Sequence, residues 1–349
     1  MWSTLPIRHL VRRLARIAPL DLKDRATRSW EIAPGEISIR PKAYFLPNQL
    51  ERVTGWSRLA GTRVEQTRSV CGGEPVEHAA TRGLLLHDAF LIDGVLYQED
   101  ACSHLQPRSH RWPQTRVERE IERGAVYCTP GGNRYFAQWL MDDCVTYALA
   151  SAEGIPVTTN QAVGAHTPGY EEWLDMHPCR VQSAHFRELV IFEDFGQNRD
   201  KHARFRTLGE KLSSHVPVQP YPGVFIIRGQ TGQSRLLTNE WEIAGRLREN
   251  RGFRILDPIK ADVPSVVECC AGARVVVGVE GSGLIHGILL LPPGGAVLTL
   301  QPPGQFSAIY KDLTDRDHQH FGFVVGHPEG QGFRIDCGEV ERTLDLLPS

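Results

Sequence analysis

Residues 273–279 read Ala-Arg-Val-Val-Val-Gly-Val, and no other stretch restricts the fold of this chain so tightly. A run of β-branched residues without polar alternation is a strand covered on both faces, as in a parallel sheet flanked by helices. A tight Gly281-Ser282-Gly283 turn follows, and the apolar run at 284–291 predicts a helix. Upstream, residues 224–227 form a second strand, and Thr238 or Asn239 caps a helix that reaches about Asn250 and stops at Gly252. Residues 253–256 predict a strand, Pro264 opens a helix through Cys270, and residues 296–300 predict a further strand. Strands alternating with helices of this length are βαβ units, so a Rossmann-like lobe is expected at 211–330.

A chain of 349 residues is long enough for roughly two domains. The first half predicts strands at 83–90, 94–97, 154–160, 181–183 and 188–193, with a helix at 135–150. This gives a mixed α/β lobe over 80–210, preceded by a basic helix and irregular segment at 1–79 and followed by a C-terminal tail at 331–349. Lys plus Arg number 39 against 41 for Asp plus Glu, a balance that argues against a nucleic-acid partner. None of the eight cysteines forms a C-x-x-C pair, which removes zinc-ribbon and thioredoxin-type chemistry.

Arg8, Arg12, Arg13 and Arg16 interrupt the apolar N-terminus, so no secretion signal is read there, and no apolar run reaches bilayer length. A cytoplasmic protein is expected. Leu10, Leu14 and Ile17 recur at helical spacing beside these arginines. That pattern fits a helix lying on an anionic membrane face through residues 1–20, or a helix packed on the protein's own body.

Ligands of open α/β sheets bind where loops leave the carboxyl ends of strands. Two such loops carry chemistry: Arg228 and Arg235 follow one strand, and Glu280 with Gly281–Gly283 follows another. A glycine turn before a helix lets a phosphate approach backbone N–H donors, and paired guanidiniums bind a pyrophosphate bidentately. The bland alternative is solvated arginines and an ordinary turn. Competing motifs are poorer. Gly281-x-Gly283-x-x-x-Gly287 is one residue off the dinucleotide fingerprint, and there is no P-loop. Asp315-Arg316-Asp317 has a metal-binding DxD form but follows a polar stretch, and His318 and His320 do not share a helix face. No metal site is predicted.

With these residues in view, the stretch 224–302 resembles glycosyltransferase family 61. The family's strand-ending arginine, second arginine and Asn-Glu helix opening look like Arg228, Arg235, Asn239 and Glu240. Its G-x-H-G-[AS]-[GA]-L element is similar to Gly278 through Leu284, with Pro293-Gly294 further on. Its G-N-Y-x-H-W-L-x-D element has a fainter echo in Gly132-Asn133 and in Gln138, Trp139, Leu140, Met141 and Asp142. Glu280 and Gln138 stand where many members carry His, and the E-G-S form followed by His286 is similar to a bacterial capsule-type branch. The resemblance implies a GT-B-like architecture of two Rossmann-like lobes with an interlobe cleft, an inverting mechanism and no obligatory metal or other cofactor. It further implies a nucleotide-sugar donor held by Arg228, Arg235, Asn239, Glu240, Gly281, Ser282, Gly283 and His286, with Gln138 and Trp139 on the acceptor side.

Inverting transfer to a glycan or lipid-linked glycan needs a base for the acceptor hydroxyl. Glu280, ending the strongest strand, is the first candidate and Asp142 the second; either could instead pair with an arginine or cap a helix. A non-catalytic glycan- or nucleotide-binding member of the same fold is the alternative, and a dinucleotide oxidoreductase rests on the glycine turn alone.

Overall fold

The computed structural model describes residues 2–18, 20–108, 115–159, 163–229, 235–316 and 318–348. The chain divides into two units, residues 1–35 with 79–204 and residues 36–78 with 205–349. The expected preliminary segment 1–79 is thus split, its middle belonging with the C-terminal half.

In the first unit, helix α1 (Leu5–Leu14) precedes a mixed sheet. Its strands are β1 (Arg28–Ala33), β2 (Thr81–Ile92), β3 (Val95–Gln98), β4 (Ala101–His104), β5 (Arg119–Val126), β6 (Ile155–Thr159), β7 (Cys179–Val181) and β8 (Ser183–Glu193). The order is β7-β6-β5-β8-β2-β3-β4, with β1 also pairing β2. The pairs among β5, β6, β7 and β8 are parallel, whereas β8-β2, β2-β3 and β3-β4 are antiparallel. This unit is mixed α/β, as its residues predict, and departs from the second Rossmann-like lobe that the resemblance implied. The reason is local: Asp93 and Gly94, at φ 48 and 75, close β2 on β3 with the two-residue left-handed turn that matches strand twist. Leu86, Leu91, Val157, Phe186 and Leu189 fill the core.

The helix expected at 135–150 forms in three pieces. Phe136–Gln138 leads into a π-helical turn, Trp139–Asp143, and then into α2 (Cys144–Glu153). Such wide turns occur disproportionately at functional sites. Helix α3 (Arg199–Ser213) follows β8.

The second unit matches the sequence reading more closely. Its elements are β9 (Tyr221–Ile226), α4 (Glu240–Arg251), β10 (Arg254–Leu256), α5 (Val263–Cys270), β11 (Ala273–Val279), α6 (Ile285–Ile288), β12 (Ala296–Gln301), β13 (His320–Val325) and α7 (Cys337–Leu344). The sheet is wholly parallel in the order β10-β9-β11-β12-β13. Every residue of β12 is buried, as a strand covered on both faces requires. Ile243, Leu247 and Val340 from α4 and α7 pack on Val277, Leu298 and Val324 of the sheet. Gly287 lets α6 close on β11, because a Cβ there would meet Val276 side-chain atoms at 2.8 and 2.9 Å.

Four expectations change here. Asn239 occupies the N-cap position of α4 without capping it. The helix after the glycine turn is only a 3-10 turn, Ser282–Leu284, followed by the short α6. The described part of the expected tail, residues 331–348, is folded: Gly332–Arg334 pairs with His327–Glu329, and α7 contributes Cys337 and Val340 to the core. The segment 36–78, expected to be irregular, pairs Glu36–Ile39 with Pro75–His78 and forms a helix, Arg63–Cys71, opened by a Thr62/Glu65 capping box. Arg52 binds it to α7 through two bonds of 2.7 Å to Glu339. Among the described residues no helix is long and apolar enough to cross a membrane.

Candidate functional site

From β9 the chain crosses to β10 on one side and returns to β11 on the other, so the switch point of the sheet lies between β9 and β11. In open α/β sheets that point, at the carboxyl edge, is the usual ligand position. Arg228 follows β9 and Glu280 follows β11.

Arg228 Nη1 donates to the Glu280 carbonyl oxygen at 3.0 Å, and Arg235 Nη1 donates to the same oxygen at 3.1 Å. Arg235 is buried, forms an ion pair with the Glu280 carboxylate, and donates from Nε to Gln305 Oε1 at 3.1 Å. Glu280 itself is only 4% exposed. The Arg228 guanidinium lies against Gly281, where a Cβ would stand 1.7 Å from Nη1 and where φ is +153°. Only glycine fits that approach. Tyr310 Oη donates to the Gly281 carbonyl at 2.9 Å and fixes the turn from beneath.

Glu240 accepts the backbone N–H groups of Arg228 and Gly229 at 2.7 and 2.9 Å, tying the loop after β9 to the start of α4. Burial pushes its carboxyl up, against the pull of those two donors. Burial also pushes the Arg228 guanidinium down, with Tyr310 and Glu240 opposing. Two guanidiniums converging on one carbonyl oxygen place like charges side by side, an arrangement suited to a diphosphate.

The other donor-side residues stand behind this edge. Asn239 donates to the Ile335 carbonyl at 2.8 Å and accepts the Ile335 N–H at 3.3 Å, which explains why it does not cap α4. His286 is buried in α6, while Ser282 and Gly283 are half-buried in the turn. Because the helix beyond the turn is so short, its dipole contributes little, and the cationic character comes from the arginines.

Asp315, from the DxD reading, has both oxygens on Lys311 Nζ at 2.7 and 2.6 Å, and burial pushes its carboxyl up to about 6. Arg316 pairs with Glu36, and Asp317 lies outside the described residues. Among the described residues no group of three or more His, Cys, Asp or Glu is arranged to hold a metal.

In the first unit Asp142 sits in the π turn with its side chain 22% exposed, and Oδ1 accepts from Lys201 Nζ at 2.6 Å. Lys201 also donates to the Asp194 carbonyl at 2.8 Å. The Asp194 carboxylate in turn accepts Thr81, Thr146 and two Arg204 donors at 2.8–2.9 Å. Asp143 is fully buried, accepts both the N–H and the hydroxyl of Thr129, and is pushed well above the usual carboxylate range by burial. Gln138 is half-buried against Gly131, and Trp139 is buried against Phe136 and Tyr170. Lys201, Asp194, Asp143, Gln305 and Tyr310 were not singled out from the sequence. No local motif marks them; only their partners do.

A family model described as Glycosyltransferase 61 matches residues 85–298. No curated protein matches the chain.

Proposed function

Because the chain belongs to the glycosyltransferase 61 family, we propose that it moves a sugar from a nucleotide-sugar donor to a glycan or lipid-linked glycan acceptor. Synthesis of capsule or another surface polysaccharide is the process this fits, with the site on the cytoplasmic side. The observation that carries the reading is the convergence of Arg228 and Arg235 on the Glu280 carbonyl beside Gly281, at the switch point of a parallel sheet. Those guanidiniums neutralise the departing nucleoside diphosphate, the charge that a divalent cation handles elsewhere. Gly281, Ser282 and Gly283 give the diphosphate room. Asn239, Glu240 and His286 hold the cradle from behind.

In an inverting transfer the acceptor hydroxyl attacks the anomeric carbon opposite the leaving diphosphate while a base takes its proton. Two carboxylates compete for that role. Glu280 is buried and ion-paired with Arg235, which suits holding the arginine. Asp142 is more exposed and its Oδ1 accepts from Lys201, so we favour it as the base, with Gln138 and Trp139 shaping its surroundings.

A thermal-shift screen against nucleotides and nucleotide-sugars, followed by incubation with a labelled donor, tests the reading. A uridine, guanosine or cytidine nucleotide should raise the melting temperature without added metal, and slow donor hydrolysis should accompany binding. Binding without turnover would favour a non-catalytic glycan or nucleotide binder. Strict dependence on manganese or magnesium would overturn the metal-free mechanism.

A further inference from the structure

A cavity under the N-terminal helix uses none of the residues assigned to sugar transfer above. It encloses about 440 Å³ between α1 with the turn after it and the β3–β4 hairpin, and Arg12, Arg13, Arg16, His104 and Arg108 line it. Its mouth is apolar: Leu10 and Ile17 line it while remaining 45% and 49% exposed. Val11 and Leu14 extend the bare surface along α1, at 58% and 76% exposed.

The charge is one-sided. Among the described residues, no acidic residue lines the cavity. Asp100 reaches Arg12 at 3.6 Å and is shared with Arg25, and Asp93 stands 3.7 Å from Arg108. Arg13 and Arg16 have no acidic partner among the described residues. His104 is held below its ordinary range by burial and then by Arg108 and Arg13; His9, also on the lining, is lowered by burial and by Arg12 and Arg8 against a hydrogen bond with the Glu99 carbonyl.

Arg16 adds an independent sign. It closes α1 in the left-handed region, at φ 58, with its N–H on the Arg13 carbonyl and the Ile17 N–H on the Arg12 carbonyl. Glycine is the usual residue at that position, and a side chain there carries backbone strain. Here the strain delivers a guanidinium to the cavity wall.

We infer that this cavity binds the terminal phosphate of a membrane lipid, with α1 lying in the membrane interface. The arginines match a phosphate dianion, and the bare Leu10, Leu14 and Ile17 match the boundary between headgroups and acyl chains. A soluble phosphate would use the arginines and leave the apolar mouth in water, whereas a lipid satisfies both. The site is independent of whether the chain transfers sugar.

The test is sedimentation of the full chain with vesicles of phosphatidylcholine alone, or containing phosphatidylserine or phosphatidic acid at matched surface charge. Phosphatidic acid vesicles should bind about ten-fold more tightly than the matched phosphatidylserine vesicles, since several arginines act on one headgroup. Arg16→Gly relieves the left-handed strain, so it should keep or raise the melting temperature while weakening that binding about five-fold. Leu14→Ser should weaken binding to both anionic vesicles. Equal binding to the two lipids, or unchanged binding by Arg16→Gly, would overturn the site. Complete release by millimolar inorganic phosphate would assign the cavity to free phosphate and overturn the lipid.

Discussion

At the residue scale, the two candidate carboxylates are separable because their partners differ. Glu280→Gln breaks the ion pair that holds Arg235, so it should weaken donor binding as well as transfer. Asp142→Asn should leave donor affinity nearly unchanged and lower turnover by roughly 100- to 10,000-fold, the range of general-base catalysis. Comparing donor-induced melting shifts with turnover for the two variants decides between them; full donor affinity with lost turnover in Glu280→Gln would return the base to Glu280. Gly281→Ala is a sharper probe of the cradle. Its Cβ collides with Arg228 Nη1 in a backbone region that side chains avoid, so donor binding should fall by about ten-fold or more while the parallel sheet persists. Isothermal titration with the nucleotide found in the screen reads that loss.

At the element scale, the junction of β8, α2 and α3 is held by Asp194. Burial raises its carboxyl, but Arg204, Lys201 and Thr81 together bring it below the ordinary range. A depressed native carboxyl contributes stability that is present above the unfolded value near 3.9 and is lost as pH falls through the native value. The first unit should therefore lose stability on acidification below about pH 4, and Asp194→Asn should lack that part of the loss. At neutral pH the same variant leaves Arg204 without its buried carboxylate and should cost about 3–5 kcal/mol, read by urea denaturation. A variant as stable as the parent at pH 7 would remove Asp194 from this role. Lys201, and through it Asp142, are positioned by the same network, so turnover should fall with it.

At the scale of the whole molecule, the second unit is assembled from segments far apart in the chain. Tyr44 bridges to Gly322, Trp56 bridges to Phe306, and Phe45 stacks on Phe323 at 4.6 Å. A fragment of residues 205–349 alone would expose Phe306 and Phe323, which are fully buried in the whole chain. Such a fragment should bind a hydrophobic dye and melt without cooperativity, and adding residues 36–78 should restore a sharp transition. A cooperative transition in the fragment alone would show that 36–78 is dispensable to this core.

The sequence by itself determined the parallel sheet and the alternation around it, because an apolar β-branched run and a glycine turn are local signals that hardly any other structure satisfies; the family was legible separately, in the motifs that resemble it. The placement of Arg228 and Gly281 just past strand ends was legible for the same reason as the sheet, while Arg235 stands nearer the start of α4. What only the tertiary structure decided depends on partners remote in the chain. Arg52 finds Glu339, Lys311 donates to the Pro41 carbonyl at 2.7 Å, and Lys201 reaches Asp142, none of which a periodicity encodes. The hairpins of the first unit were half legible, since the Asp93-Gly94 turn shows in the sequence while the pairing of β2 with β8 does not. The engagement of Glu280 by Arg235 was hidden too. A carboxylate at a strand end looks the same whether it faces an acceptor or an arginine, and only the packing of the loop after β9 against the end of β11 distinguishes the two.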